Sequence, residues 1–503
     1  MIRRLIAIAC VLLAATMASA QGDDAPTVAT AEALVAAVAA GGIVLVEAGD
    51  YVITEPLVVG HDLELRGVEP LAATLLLQGA PEGLRVEGGA DVHIVGIRLA
   101  YDGEAPGDVV GVHDAHLTLD GVAVGLAVGV PDAAEDDALG YGRGLHVTGD
   151  AQVDVLGGGI GRNERMAALV RDSARLHLAD ALLTGDGAGV VAQDDAVVTL
   201  RGVELYGHLL YALALRGRAQ ATGGGNLFVE NGIASEEELI SAVSVGDQAT
   251  LRLEGGDTFR DHPGGAFEVF GAANVTLIDA TVERTGTWAH TYVVGNATLS
   301  VEGGRFADNE GAFYAGEGGR VVLVDVAMTG GAGDGVIVDE SGFVDVRGGR
   351  IEDHANFGVA LYGFGRAHVE GTTVARNRSG LVAMDASTLI VRDTDVVDHE
   401  RTGIGFLDAS AGDAVANRVR ANGWAGVVVA GEAVATVAGN LLEANAQRGA
   451  WFDETGAGTF DGNTVRGSPI GLEVASGAEP VVGTNTYEDV ATEVVETEVV
   501  ETP

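Results

Sequence analysis

Two short segments of this 503-residue chain place an aspartate directly before a histidine. They are Asp353-His354 in IEDHANFGVALYG and Asp398-His399 in VVDHERTGIGFLD. A carboxylate beside an imidazole can orient the ring and support general acid–base catalysis. The two pairs lie 45 residues apart, and this regular distance raises a second interpretation, in which a structural repeat places both histidines in equivalent turns.

A second group of residues suited to chemistry lies nearer the middle of the chain. Asp172 and Asp195 are 23 residues apart, and Arg171, Asp194 and Arg216 lie beside them or one repeat further on. Two carboxylates about 5 Å apart can share a proton, hold Ca²⁺, or act as acid and base on a glycosidic bond. An arginine nearby can hold a sugar hydroxyl or carboxylate. Their proximity depends on the elements that carry them.

Apolar residues repeat along most of the chain. The segments AHVEGTTVARNRSGL and ATVAGNLLEANAQRGA each combine a short alternating strand, a later apolar position, Asn and Gly. Taking one inward residue per repeat gives a column in which 17 of 18 positions are apolar. Between Val301 and Val482 every step is 22 or 23 residues. The predicted column is Leu65, Ile94, Leu119, Val155, Leu178, Leu200, Thr222, Leu253, Leu277, Val301, Val324, Val346, Val369, Val391, Ala414, Val437, Phe460 and Val482.

The residue before each column position is mostly polar, as expected for neighbours on opposite faces of a strand. A period near 23 residues is too short for a strand–helix–strand unit. It fits a coil of three short strands, each paired with its counterpart in the next coil, so that apolar surface is buried by stacking. At about 4.8 Å per coil, such a stack forms a rod of roughly 85 Å.

This pattern resembles the right-handed parallel β-helix of the pectin lyase-like superfamily over residues 30–487. The segment TAEALVAAVAAGG predicts a short helix with Thr30 as N-cap and Gly41 at its end. The resemblance implies that this helix caps the open end of the first coil. The predicted fold is therefore all-β, a right-handed parallel β-helix solenoid of about 18 coils with a short N-terminal capping helix. The resemblance implies no single activity, because the superfamily includes lyases, hydrolases, epimerases and proteins without known chemistry.

The resemblance also explains the histidines of the two Asp-His pairs. The position eight residues past each column residue resembles a stacked asparagine ladder, and Asn, Asp and His tolerate the left-handed backbone that such a turn needs. His354 and His399 are therefore assigned a structural role. The predicted ladder contains Asp102, Asn163, Asp186, His208, Asp261, Asn309, His354, Asn377, His399, Asn422, Asn445 and Ser468, and His262 falls one residue out of phase.

Two insertions, VPDAAEDDALGYGRG and IASEEELIS, leave the coil at similar positions four coils apart, so they are expected to wall a groove of roughly 19 Å. Asp172 and Asp195 are the candidate catalytic residues there, and Arg171, Asp194 and Arg216 the candidate ligand-binding residues. Ordinary turn chemistry is the alternative, because many coils place Asp, Gly or Asn at this turn. The aromatic residues expected to stack on sugar rings or to fill the core are Trp288, Phe357 and Trp424.

The charge of the chain restricts its partners. The formal net charge is −44, and all 29 basic residues are arginine. Such a field repels nucleic acid and anionic membranes, and it disfavours a polyanionic substrate unless cations bridge. The acidic loop at Asp132, Glu135, Asp136 and Asp137 offers carboxylates for Ca²⁺, the one cofactor considered. The histidines are not expected to converge as a metal set, so no metal ligand is assigned.

The chain divides into four predicted segments. Arg3 and Arg4, an apolar run and the small-residue stretch ATMASA are typical of a secretory signal. We therefore expect a secreted protein, extracellular or periplasmic, that is monomeric and has no membrane span in its mature form. The segments are a signal peptide at 1–20, an N-terminal segment with the capping helix at 21–42, the β-helix at 43–490 and an acidic tail at 491–503.

Two functions remain open from the sequence. In the first, the protein binds, and in one version processes, polysaccharide or cell-surface glycan at or outside the cell envelope. An enzyme of this kind would be a polysaccharide lyase or a glycoside hydrolase. The alternative is a non-catalytic surface, adhesion or structural rod that binds a protein or matrix partner.

Overall fold

The computed structural model of the chain describes residues 25–130, 140–232, 240–286 and 289–497. The predicted signal segment, the acidic residues of the first insertion, most of the second insertion and Trp288 lie outside these ranges. Within them, no helix combines the length and the apolar composition needed to cross a membrane.

A short helix, Ala31–Ala40, precedes the strands. The hydroxyl of Thr30 caps it by accepting a hydrogen bond of 3.2 Å from the backbone N–H of Ala33. Gly41, with a φ of 77°, ends the helix, because this left-handed conformation suits glycine. Leu34 and Val38 are buried in the same apolar core as the strands. The helix therefore covers the first end of the core, in agreement with the predicted cap.

The remaining described chain winds into about 19 turns of three short strands each. Each strand pairs in parallel with the equivalent strand of the next turn, which produces three long parallel sheets. The strands of sheet 1 are Thr27–Val28, Gly42–Val46, Leu63–Gly67, Asp91–Val95, His116–Asp120, Gln152–Leu156, Arg175–Ala179, Val197–Arg201, Gln220–Gly224, Thr250–Glu254, Asn274–Ile278, Thr298–Glu302, Arg320–Val324, Phe343–Arg347, Arg366–Glu370, Thr388–Arg392, Ala411–Val415, Val434–Ala438, Ala457–Asp461 and Glu479–Val482.

Sheets 2 and 3 complete each turn. The strands of sheet 2 are Gly49–Ile53, Ala73–Leu77, Arg98–Tyr101, Ala123–Gly125, Gly159–Gly161, Leu182–Thr184, Glu204–Tyr206, Leu227–Val229, Thr258–Arg260, Thr281–Glu283, Arg305–Ala307, Ala327–Thr329, Arg350–Glu352, Thr373–Ala375, Asp395–Val397, Arg418–Arg420, Leu441–Glu443, Thr464–Arg466 and Thr486–Glu488. The strands of sheet 3 are Leu57–Val59, Glu82–Glu87, Asp108–His113, Arg143–Thr148, Met166–Val170, Ala188–Ala192, Leu213–Leu215, Val243–Val245, Phe267–Val269, Thr291–Val293, Phe313–Ala315, Val336–Val338, Phe357–Leu361, Ser379–Ala383, Ile404–Phe406, Ala425–Val429, Arg448–Phe452, Ile470–Ala475 and Thr492–Thr497.

The predicted inward column is a straight line of register partners in sheet 1. Val346 pairs with Val369, and Val369 pairs with Val391. All three side chains are buried in the core that runs along the rod. The predicted stacking of equivalent residues, on which the fold prediction depended, is therefore confirmed.

Two positions of the predicted column are wrong by one residue. Gly223, not Thr222, pairs with both Leu200 and Leu253. The inward residue here has no side chain, so the apolar pattern could not reveal it. Leu323, not Val324, continues the column from Val301. Residues 321–324 are all apolar, and an unbroken apolar run carries no alternation that sets the phase.

Two buried polar ladders line the turns. The ladder between sheets 2 and 3, named here ladder B, follows the predicted one: each side-chain acceptor receives a hydrogen bond from a backbone N–H of the preceding turn. A second ladder, named ladder A, lies between sheets 1 and 2 and was not predicted. Its members are Asn226, Asp257, Asn417, Asn440, Asn463 and Asn485.

Three details of the ladder prediction are wrong. His262, rather than Asp261, occupies ladder B, and its Nδ1 accepts a hydrogen bond of 3.1 Å from the N–H of Asn231. Asp102 is exposed and contacts Gln78 instead. The left-handed conformation belongs to the residue before the ladder position, as at Asp353 with a φ of 63°. The turn therefore leaves the ladder residue itself free to point inward.

We predict that Asn440→Ala lowers the free energy of unfolding by about 1–3 kcal/mol, because it strands buried hydrogen-bonding groups. The Asn440 amide accepts from the backbone and side chain of Asn417 and donates to the Ala414 carbonyl and to Asn463. Urea denaturation measures the change. Asn296→Ala, at an exposed turn, is the matched control and should leave stability unchanged. Equal stability of both variants would contradict the role of ladder A.

Candidate functional site

The outward face of sheet 3 carries an uncharged strip of side chains, named here the apolar track. Parallel register brings one outward residue from each of eight successive strands into line. Eight turns at about 4.8 Å give a track of roughly 34 Å between the first and last positions. Its residues are Tyr292, Tyr314, Ile337, Ala360, Val382, Gly405, Val428 and Trp451.

The first two residues of the track are tyrosines stacked on adjacent turns. The rings of Tyr292 and Tyr314 are nearly parallel, with centroids 5.0 Å apart and an angle of 6° between their planes. Burial raises the pKa of Tyr314 to about 12, so the hydroxyl stays protonated at neutral pH. This end of the track is therefore aromatic and without charge.

A groove of about 390 Å³ lies over the far part of the track. It is named here the aromatic groove. Val382, Gly405 and Val428 form its floor, and the absence of a side chain at Gly405 leaves depth between the two valines. The other residues that line it are Phe357, Ser379, Met384, Arg401, Thr402, Leu407 and Trp424. The volume is within the range of small-molecule sites, and the lining is mostly apolar with a few polar groups.

Four packed side chains stand at the C-terminal end of the groove. Trp424 and Trp451 meet edge to face with centroids 5.0 Å apart. The guanidinium of Arg448 lies 4.6 Å from the centroid of the Trp451 ring and 5.6 Å from that of Trp424. Arg448 is also paired with Glu473 at 3.0 Å. These contacts hold the Trp424 indole in place as one wall of the groove.

The predicted site residues Asp172 and Asp194 lie in the turn from sheet 3 to sheet 1. Asp172 has a φ of 59°, and its Oδ2 accepts a hydrogen bond of 2.9 Å from the N–H of Gly149. Asp194 repeats this arrangement one turn later, with a φ of 61° and a bond of 3.3 Å from the N–H of Asp172. Asp172 is therefore aligned with Asp194 rather than Asp195, because the step between these turns is 22 residues.

Asp195 has a separate partner. Both of its carboxylate oxygens accept hydrogen bonds from Arg218, at 2.7 and 2.5 Å. This contact lowers the pKa of Asp195, whereas a general acid at neutral pH needs a raised pKa. Arg171 approaches Asp194 at 3.8 Å. The catalytic assignment of Asp172 and Asp195, and Ca²⁺ binding by them, remain predictions.

Arg216 lies over the outward face of sheet 3. Its guanidinium is 5.6 Å from the centroid of the Tyr211 ring and 5.1 Å from that of Phe270. It also donates a hydrogen bond of 3.1 Å to the hydroxyl of Ser244. The floor of the predicted groove, nearby, is a buried apolar patch packed against Leu210 and Tyr211. The ligand-binding roles of Arg171, Asp194 and Arg216 therefore also stay predictions.

The two Asp-His pairs are turn residues. His354 and His399 are buried in ladder B, and the Nδ1 of His399 accepts a hydrogen bond of 3.1 Å from the N–H of Asn377. Asp353 points outward and pairs with Arg376 at 2.7 Å. Burial lowers the pKa of each of the two histidines to about 4. Neutral, buried imidazoles fit the structural interpretation of these pairs.

Three residues that the sequence did not bring together converge near the N-terminal end of sheet 3. Glu82, His113 and His146 have ligand atoms that all lie within 4.8 Å of one another. The expectation that the histidines do not converge is therefore wrong for this group, named here the histidine cluster. Burial alone would raise the pKa of Glu82, but hydrogen bonds from both histidines outweigh it and lower the pKa to about 2.

The irregular length of the first turns explains why the histidine cluster was missed. Glu82 and His113 are 31 residues apart, and Glu82 and His146 are 64 apart. Neither separation is a multiple of 23. Only the pairing of three sheet 3 strands, with Gly111 joining Arg85 to His146, reveals the neighbourhood.

Comparison with known proteins agrees with this architecture. Residues 325–467 match the family model described as a right handed beta helix region. The predicted right-handed parallel β-helix is confirmed, with about 19 turns rather than 18. No curated protein matches the chain significantly.

Several solved structures are similar at low identity. The PL6 family alginate lyase AlyGC is 10% identical, with 94% of this chain and 100% of the lyase covered at a TM-score of 0.27. A mannuronic acid specific polysaccharide family 6 lyase from human gut microbiota is 10% identical, with coverages of 73% and 86% and a TM-score of 0.35. A variant of the periplasmic alginate epimerase AlgG is 13% identical, with coverages of 76% and 85% and a TM-score of 0.28. Likeness at this level assigns no activity to this chain.

We predict that His399→Asn weakens the pH dependence of stability between pH 6.5 and 4. The folded pKa of His399 is about 4, below the unfolded value near 6.5. In this window the unfolded state binds more protons, so the free energy of unfolding falls as pH falls. Removing the imidazole takes away at most about 1.4 kcal/mol per pH unit of slope.

Denaturation midpoints measured across this pH range test the His399 prediction. Asparagine already occupies neighbouring positions of ladder B, as at Asn377 and Asn422, so the variant retains a ladder-compatible side chain. Parallel pH profiles of the two proteins would show that His399 is not held neutral by burial.

Proposed function

We propose that this protein binds polysaccharide on the outward face of sheet 3, with the aromatic groove as the sugar-binding site. The observation that carries the proposal is a groove walled by Phe357 and Trp424 within an uncharged track, on a chain with a net charge of −44. The signal-like segment supports a location outside the cytoplasm, where such polymers are found.

The geometry of the groove suits an extended polymer. Phe357 precedes Trp424 by three turns, which corresponds to roughly 14 Å along the rod. A linear glycan laid along the axis can therefore contact both aromatic side chains. The apolar C–H face of a pyranose ring packs on an aromatic face and buries both from water. The same apolar track continues to the tyrosine pair, so the polymer has a continuous surface to follow.

The polar groups of the groove can select hydroxyl-bearing ligands. Ser379 and Thr402 present hydroxyls from a mostly buried position, and Arg401 supplies exposed donors. A few such groups in an apolar pocket fix orientation. Among the described residues that line the groove there is no Asp, Glu or His. The proposal for this groove is therefore binding, without cleavage at the groove itself.

We predict that Trp424→Ala and Phe357→Ala each weaken glycan binding at least tenfold, because each removes a wall of the groove. A glycan array identifies ligands, and isothermal titration calorimetry measures affinity for the best one. Phe364→Ala is the control, since that side chain is 69% exposed and lies outside the groove lining. Unchanged affinity in both groove variants would exclude this site, and a screen in which no glycan binds would exclude the function.

We predict that neutral glycans bind with little dependence on salt, whereas polyanionic glycans of equal length bind better as salt rises. The charge of −44 repels a polyanion, and this repulsion is screened when the Debye length falls from about 30 Å at 0.01 M to about 3 Å at 1 M salt. Calorimetry at both salt concentrations measures the difference. Polyanion binding that weakens with salt would contradict the argument.

A further inference from the structure

The histidine cluster lies on the outward face of sheet 3, far from the aromatic groove. Nε2 of His113 is 2.8 Å from Oε1 of Glu82, and Nδ1 of His146 is 3.4 Å from the same oxygen. The two imidazole rings meet edge to face, with centroids 5.7 Å apart. Three donor atoms of two types therefore point at one small region of space.

The backbone is shaped to admit the carboxylate. Glu82 is 7% exposed, although it faces outward at the start of its strand. Gly111 lies directly against it, and a Cβ at that position would collide with the Glu82 carboxyl group. His146 is the register partner of Gly111 on the next turn. The missing side chain thus leaves a recess in which Glu82 can reach both histidines.

Further contacts orient the two imidazoles. The hydroxyl of Thr148 is 2.7 Å from Nδ1 of His113, which leaves Nε2 toward Glu82. Asp108 and Arg143 form a fully buried ion pair beside the cluster, and Oδ2 of Asp108 is 3.6 Å from Nδ1 of His146. Partners of this kind fix the ring orientation and the basicity of histidine ligands in metal sites.

We propose that Glu82, His113 and His146 bind a divalent transition-metal ion of the Zn²⁺ type. Tetrahedral Zn²⁺ with bonds of about 2.1 Å places its ligand atoms about 3.4 Å apart. The 3.4 Å between His146 and Glu82 already equals this spacing, and the 2.8 Å at His113 must open by about half an ångström. Two imidazoles and one carboxylate disfavour Ca²⁺, which takes oxygen ligands.

Three protein ligands leave a coordination position for water or substrate, as in catalytic zinc sites rather than structural ones. His113 and His146 are partly exposed, so a solute can approach that position. The cluster is about ten turns from the aromatic groove, roughly 50 Å along the rod. The metal site is therefore independent of the proposed glycan site, and either can fail without the other.

Calorimetric titration of the chelator-treated full chain with Zn²⁺, in the presence of excess Mg²⁺ to saturate weak carboxylate sites, tests the proposal. We expect one saturable site per chain. Glu82→Gln, which keeps the side-chain shape, and His146→Ala should each weaken Zn²⁺ binding at least 100-fold. Thr148→Val, which removes only the partner of His113, should weaken it about tenfold. Co²⁺ should give visible absorption typical of tetrahedral coordination, and that absorption should be lost in Glu82→Gln.

His116→Ala is the matched control. Its imidazole contacts two carboxylates on sheet 1, Asp91 at 3.1 Å and Asp154 at 2.8 Å, so it resembles the cluster in composition. We expect this variant to bind Zn²⁺ as the unmodified chain does. The proposal is overturned if no single site saturates, if His116→Ala weakens binding as much as His146→Ala, or if Glu82→Gln folds normally by circular dichroism and retains full affinity.

Discussion

Parallel pairing between successive turns is the constraint on which this structure depends. It places residues one turn apart in sequence next to each other in space, so any residue type repeated with that period becomes a continuous line. The inward line of sheet 1, with Val346, Val369 and Val391, is one result. The buried ladders and the apolar track follow from the same pairing. A single turn buries little surface, and stacking produces the core.

The ladders show how the pairing solves the problem of the turns. Each turn turns backbone N–H groups toward the interior, where an unsatisfied donor is costly. A side-chain acceptor from the next turn satisfies one of them, and an amide such as Asn440 also donates onward. Imidazole nitrogen serves as the acceptor at His262 and His399. Histidine at these positions therefore reflects turn geometry, and an adjacent aspartate reflects the left-handed residue before it.

The same reasoning explains what the sequence could predict. A regular period and alternation identified the sheet 1 column and ladder B, and they failed at Gly223 and Leu323, where alternation is absent. The outward face of sheet 3 could not be predicted from the period alone, because the distance from a sheet 1 residue to the sheet 3 strand varies with each intervening loop. The histidine cluster, with separations of 31 and 64 residues, lies where that variation is large.

The contrast between the outward faces of sheets 1 and 3 points to where ligands bind. Sheet 1 presents mostly polar residues, such as Asp154, His177 and Thr199 in line on adjacent turns, and this surface needs no partner. Sheet 3 presents Val382, Gly405 and Val428 outward although the core already contains ample apolar surface. An outward apolar strip adds nothing to the stacking of turns and exposes the folded chain to association. Its retention on one face of a strongly acidic rod is accounted for when a ligand covers it.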